Sequence, residues 1–151
     1  MTITTAMCTS FKAEVLQATH NFSASGGNSF KLALYAISSG GKSSSTAALG
    51  ATTVVFTTLG EVASSGRYVT GGLALTNIDP TTSGTTGFAD FADKSFTTAT
   101  ITARGAMIYN DTNGDKMVCS LDFGGNKTST AGTFTIQFPA AAASTAIIRI
   151  A

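Results

Sequence analysis

Four short stretches carry residue types whose spacing could do chemistry. The run AISSGGKS, residues 36–43, ends in the Gly-Lys-Ser that closes a phosphate-binding loop, with Lys42 as the cation that would meet a phosphate. Its first glycine position is Ala36, and the SSSTAALGATT that follows the lysine is too poor a helix former to aim backbone N–H groups at a ligand. The spacing therefore predicts a flexible turn. In NDTNGD, Asp111, Asn113 and Asp115 alternate as the first ligands of a calcium loop do. The sixth position, however, is Lys116 instead of Gly, and the twelfth is Asp122. A hairpin turn explains the same letters. Asp90 and Asp93 lie three apart, which in a strand puts them on opposite sides, so a general acid and base are not expected there. His20 is the only histidine, which removes most histidine-dependent triads and multi-histidine metal sites. It is expected to be a partly exposed hydrogen-bonding residue beside a turn. Cys8, twelve residues earlier, leaves a Cys8–His20 pair as the one nucleophilic arrangement to check. No catalytic residue, metal or cofactor is expected.

The elements that must position these residues follow from periodicity. SFKAEVLQATH predicts one short amphipathic helix, with Ser10 as its cap and Phe11, Val15 and Leu16 on one face. In FKLALYA, Phe30, Leu32, Leu34 and Ala36 alternate with Lys31, Ala33 and Tyr35, the period of a strand. TTVVFT and YVTGGLALTN read as further strands, the second bent at Gly71-Gly72, and IDPTTSGTTG reads as a low-complexity loop. TATITARGAMIYN and KMVCSLDFGG flank Asn113-Gly114, a pair suited to a type I′ turn. That turn sets Asp111 opposite Lys116 and Ile108 opposite Cys119, with Ala106, Met117 and Leu121 on the same face as Ile108. TFTIQF and AIIRIA complete the strand list. The pattern is all-β: an antiparallel β-sandwich or jelly roll with one short N-terminal helix, in a single domain spanning 1–151. Its expected core is Phe30, Leu32, Leu34, Ile108, Leu121, Phe134, Ile136 and Phe138.

Only 11% of the residues are charged and the net charge is +1, so no basic patch for nucleic acid is expected. No run of eighteen apolar residues points to a membrane-spanning helix, and no secretion signal is read at the start. Cys8 and Cys119 are expected as two buried thiols rather than a bridge. Both chain ends are apolar. Ile3 and Met7 at one end, and Ile147, Ile148 and Ile150 at the other, are the expected assembly contacts, through strand addition to a neighbour or within the subunit.

The segments MCTSFKAEVLQATHNF, FKLALY, TARGAMIYND and LDFGGNKTSTAGTFTIQFPAAAASTAIIRIA resemble a small virion structural protein encoded by tailed bacteriophages of aquatic bacteria. The resemblance extends from the first residues to the last and is weakest in the SSGG and PTTSGTT stretches. It implies a capsid decoration, or cement, protein. Such a protein would be made in the host cytoplasm and placed on the outer capsid surface in many copies. It would be a homo-oligomer, commonly a trimer, with the major capsid protein as its partner. The alternative from another class is a tail-associated fibre or tip domain that touches a host receptor.

Overall fold

A computed structural model describes residues 2–36 and 48–151. Lys42 and most of the AISSGGKS motif lie outside the described residues. The chain runs β1 (Thr2–Ile3), β2 (Ala6–Met7), α1 (Thr9–Leu16), β3 (Phe30–Tyr35), β4 (Ala48–Leu49), β5 (Leu73–Ala74), β6 (Asn77–Ser83), β7 (Thr86–Phe91), β8 (Lys94–Asn110), β9 (Lys116–Ile136) and β10 (Ile148–Ile150). Two antiparallel sheets, ordered β2-β9-β8-β3-β5 and β10-β7-β6, form the all-β architecture, with a small parallel pair β1-β4 beside them. Phe30 of the large sheet stacks on Phe22 at 4.4 Å, and both rings meet Phe91 of the small sheet at 5.6 and 6.1 Å. This aromatic cluster joins the sheets.

Six of the eight expected core residues are buried, while Leu121 and Phe138 are partly buried against the same core. β3 is buried on both faces, including Ala33 and Tyr35, because the chain between β4 and β5 folds over the side away from Phe30. Strict alternation of inside and outside fails for this reason. Tyr68 reaches that side and its hydroxyl accepts the Leu34 amide at 2.9 Å.

Several expectations are corrected. The helix is capped by Cys8, not Ser10, and buries Phe11 and Glu14 while Leu16 is 89% exposed. IDPTTSGTTG is a hairpin: β6 and β7 pair across Gly84-Thr85, since threonine suits a pleated surface. Pro80 is tolerated because β6 is an edge strand whose register shifts between Ile78 and Thr81. TTVVFT is not a strand, and only Val55 bridges to Lys116. Of YVTGGLALTN, only Leu73–Ala74 forms a strand before β6 begins at Asn77. The segment KMVCSLDFGG and the first four residues of TFTIQF belong to one strand, β9. Ile108 does oppose Cys119, but Asn110, not Asp111, opposes Lys116, after a register shift at Ile108/Tyr109. The positive-φ residues of that turn are Gly114 and Asp115, so the two-residue I′ turn gives way to a longer loop.

Candidate assembly surfaces

Among the described residues, His20, Cys8 and Asp90 are buried within the fold. His20, expected to be partly exposed, is buried, its ring 4.8 Å from that of Phe11. Its Nε2 lies 2.8 Å from Glu14 Oε2, and its Nδ1 lies 3.0 Å from Asn110 Nδ2. The backbone amides of Thr112 and Asn113 both donate to Asn110 Oδ1, which fixes the orientation of that amide group. Nδ1 of His20 must therefore accept, and Nε2–H donates to Glu14. Lys116 Nζ completes the set at 2.9 Å from Glu14 Oε1. Burial opposes the charge on Glu14, but the hydrogen bonds from His20 and Lys116, with the Lys116 charge, outweigh it and hold the carboxyl below its ordinary value. The network ties α1 to the β8–β9 turn and offers no ring nitrogen to a substrate.

Cys8 and His20 form no pair. The Cys8 thiol is directed at the Gly50 carbonyl, 3.6 Å away, and burial, with the nearby Glu14 charge, pushes its pKa up to about 11. Cys8 and Cys119 are both free and buried, as expected, and burial, with a contribution from Cys8, pushes Cys119 up to about 12. The calcium-like triplet diverges. Asp111 pairs with Lys31 at 2.8 Å, Asn113 donates to the Thr19 carbonyl, and the Asp115 carbonyl accepts the Phe56 amide. Among the described residues, no three His, Cys, Asp or Glu side chains are grouped to hold a metal ion. Asp90 is buried and accepts from the Phe91 amide, whereas Asp93 is exposed and accepts from Phe138. Burial leads the forces that raise the Asp90 pKa. Periodicity gave no hint of one further buried group, Glu61, whose Oε1 accepts from the Tyr68 hydroxyl at 2.8 Å and the Gly71 amide at 2.6 Å. The LGEVASS context of Glu61 carries no sign that the following segment, through Tyr68 and Gly71, folds back onto its carboxylate.

Both apolar ends complete sheets of their own chain. β1 pairs with β4, β2 with β9, and β10 with β7. Ile3 is buried against Gly105, where an added Cβ would meet its methyl groups at 2.9 Å, and Ile148 is buried as well. The side chains of Ile3 and Ile148 thus lie in the subunit's own core. Met7 and Ile147 are half-buried, and Ile150 is 61% exposed.

Two surfaces are left with unspent binding capacity. The outer side of β9 is covered stepwise from its start. Met117 donates to Val54, Val118 accepts from Cys8, β2 pairs at Cys119 and Ser120, and the Asp122 amide donates to Thr5 Oγ1. Beyond Asp122 the cover stops. Along residues 123–136 no strand among the described residues lies on that side. The ribbon bends there, with register shifts around Ala99 and a positive φ at Ala131. A groove of about 430 Å³ lies in the bend, lined by Phe123, Lys127 and Thr128 from one arm and Thr133, Phe134 and Ile136 from the other. The second surface is a cleft of about 300 Å³ between α1 and the β10-β7-β6 sheet, lined largely by apolar side chains including Val15, Phe22, Pro80, Phe88 and Ile150.

Comparison with protein-family models, curated proteins and solved structures finds no match.

Proposed function

We propose that the chain is a structural component of a bacteriophage particle: a decoration protein that binds the outer surface of the assembled capsid and stabilises the shell. The open edge of β9 along residues 123–136 carries this reading. Unpaired main-chain donors and acceptors beside a groove are what an extended segment of another protein satisfies by strand addition, while its alternate side chains enter the groove. One lysine, Lys127, is the only charge on that stretch, so little electrostatic repulsion opposes the approach of a second backbone. Where the coat subunit presents its complementary segment only in the finished lattice, the chain stabilises that lattice and no other state. At a free concentration 100 times Kd the gain is about 2.7 kcal/mol per site.

Co-sedimentation with purified mature particles tests the proposal. The wild-type chain is expected to pellet with particles and to ignore unassembled coat subunits, and Thr133→Lys/Thr135→Lys is expected to abolish pelleting without loss of fold. Equal binding of both proteins overturns the role of the edge. A handful of copies per particle, located on the tail, overturns the capsid assignment in favour of a receptor-binding module.

A further inference from the structure

We infer that the turn at residues 65–68 is a clamp that holds the β8–β9 ribbon bent before any partner arrives, with Ser65, Gly66 and Thr98 as the residues that position the groove. The use of the bend in binding rests on the β9-edge reading above; the clamp itself is a property of the free chain. Two bulges set back to back make the bend. From Phe96 to Ala99, three steps along β8 face two along β9, from Phe134 to Gly132. From Ala99 to Ile101 the imbalance reverses, two steps on β8 facing three on β9, from Gly132 to Ser129. The pairing is thus restored while the direction of the ribbon changes. Each bulge contains a residue in the left-handed region, Thr98 at a φ of 55° and Ala131 at 46°. Glycine is the usual occupant of such a position, and a β-branched residue is the least suited to it. A conformation of this kind persists only where its surroundings impose it.

At Thr98 the surroundings are the turn. β3 pairs with β8 only along residues 105–110, and at residues 97–100 the flank away from β9 is taken by the 65–68 turn instead. The Arg67 amide donates to the Thr97 carbonyl at 3.0 Å and the Thr100 amide donates to Ser65 Oγ at 2.9 Å, so the two bonds straddle Thr98. Between them Gly66 lies against the Thr98 carbonyl. A Cβ added to Gly66 would sit 2.1 Å from that oxygen, and Gly66 itself has a φ of 56°, so both space and backbone call for glycine. Ser65 and Tyr68 close the turn with paired main-chain bonds. The buried Tyr68 ring meets Phe96 edge-on at 5.2 Å and its hydroxyl donates to Glu61, which roots the turn in the core. The two bulges are tied to each other as well: the Ser129 hydroxyl donates to the Ala99 carbonyl, and the Ala131 amide donates to Thr100 Oγ1. A constraint applied to β8 therefore reaches β9, where Thr128 and Thr133 line the groove on either side of the bulge. A groove already bent in the free chain spares its partner the cost of ordering it.

Electron–electron resonance distances between spin labels at Ser95→Cys and Asn126→Cys, exposed positions on either side of the bend, test the clamp in the free full-length chain, where the buried Cys8 and Cys119 stay unlabelled. A single narrow distance is expected with the clamp intact. Gly66→Ala is expected to shift and broaden it, and Ser65→Ala to do the same more weakly. Ser65→Ala/Thr98→Gly is expected to restore the narrow distance, because glycine adopts the left-handed conformation unaided. A distance indifferent to both single variants, or a double variant no narrower than Ser65→Ala, overturns the clamp. Should Gly66→Ala fail to fold, Ser65→Ala and its double variant decide. Co-sedimentation of unlabelled Ser65→Ala with mature particles tests the positioning role, since a chain bent only about a tenth of the time binds about tenfold more weakly. Loss of the bend with undiminished pelleting overturns that role. A wild-type chain that never pellets overturns the β9-edge reading, and the distances in the free chain still judge the clamp.

Discussion

Over residues 105–121 the β8–β9 ribbon has β3 on one flank, β2 and the N-terminal segment on the other, and side chains buried on both faces. Over the remaining arm the same two strands have one flank bare, and their outward positions carry Thr97, Thr98, Thr100, Thr102, Thr128 and Thr130. The packed end is held by apolar burial and by the Glu14–His20–Asn110 network. The arm is held by its ladder and by exposed hydroxyl pairs such as Thr102–Thr128 and Ser95–Thr135, each contributing roughly 0.2–1 kcal/mol. One continuous ribbon therefore has two unlike ends: one is packed into the fold, and the other leaves an edge without a strand beside it among the described residues, the surface proposed above for a partner.

Substitutions break this contrast most sharply in the core. Ile108→Ala, in the packed end, is expected to lower unfolding free energy by about 2–5 kcal/mol, whereas Thr128→Ala on the arm costs no more than about 1 kcal/mol, both read from urea unfolding. Similar losses at the two sites would mean that the arm is as much a part of the core as the turn end. Asn110→Ala comes next, because it orphans the amides of Thr112 and Asn113 and the acceptor nitrogen of His20. A loss of about 1–3 kcal/mol is expected, with fraying of the 111–115 loop visible in amide exchange.

Much of the packed end was legible from residue types alone. Phe30, Leu32 and Leu34 alternate, and Ile108 opposes Cys119 as hairpin geometry demands. The turn register was misread because Asn-Gly signals a two-residue loop, while here Asn110 and Asn113 are drawn into bonds with His20, Asn28 and Thr19, contacts some eighty to ninety residues away in sequence. The burial of His20 and Glu61 was equally invisible, since His20 meets Asn110 ninety residues on and Glu61 is met by the Tyr68–Gly71 segment folding back on it. IDPTTSGTTG reads as a loop because low complexity and a strand of threonines share a composition. As for the assembly surfaces, the apolar ends drew attention by hydropathy, but a free sheet edge is a property of what is absent beside a strand, and no local pattern encodes that.

Smaller effects sharpen the electrostatic side of the same comparison. The Glu14 pKa in the folded chain lies below its ordinary 4.5, so its stabilising contribution is complete above that value and is lost as pH falls below 4.5 through the folded pKa. Glu14→Gln is expected to flatten this part of the stability curve in acid titrations followed by circular dichroism; an unchanged slope would remove Glu14 from the account. Asp90 has the opposite sign. Its pKa is raised in the folded chain, so its charged form costs stability at neutral pH and protonation relieves that cost. Asp90→Asn is expected to raise the melting temperature modestly at pH 7, with the advantage shrinking as the pH is lowered.

Hydrogen–deuterium exchange on the chain, free and bound to mature particles, tests the central claim most directly. The account predicts rapid exchange of outward-facing amides along residues 123–136 in the free chain and strong new protection there on binding, with residues 105–121 slow in both states. Unchanged exchange along 123–136 in a chain that is nonetheless bound to the particle would contradict it.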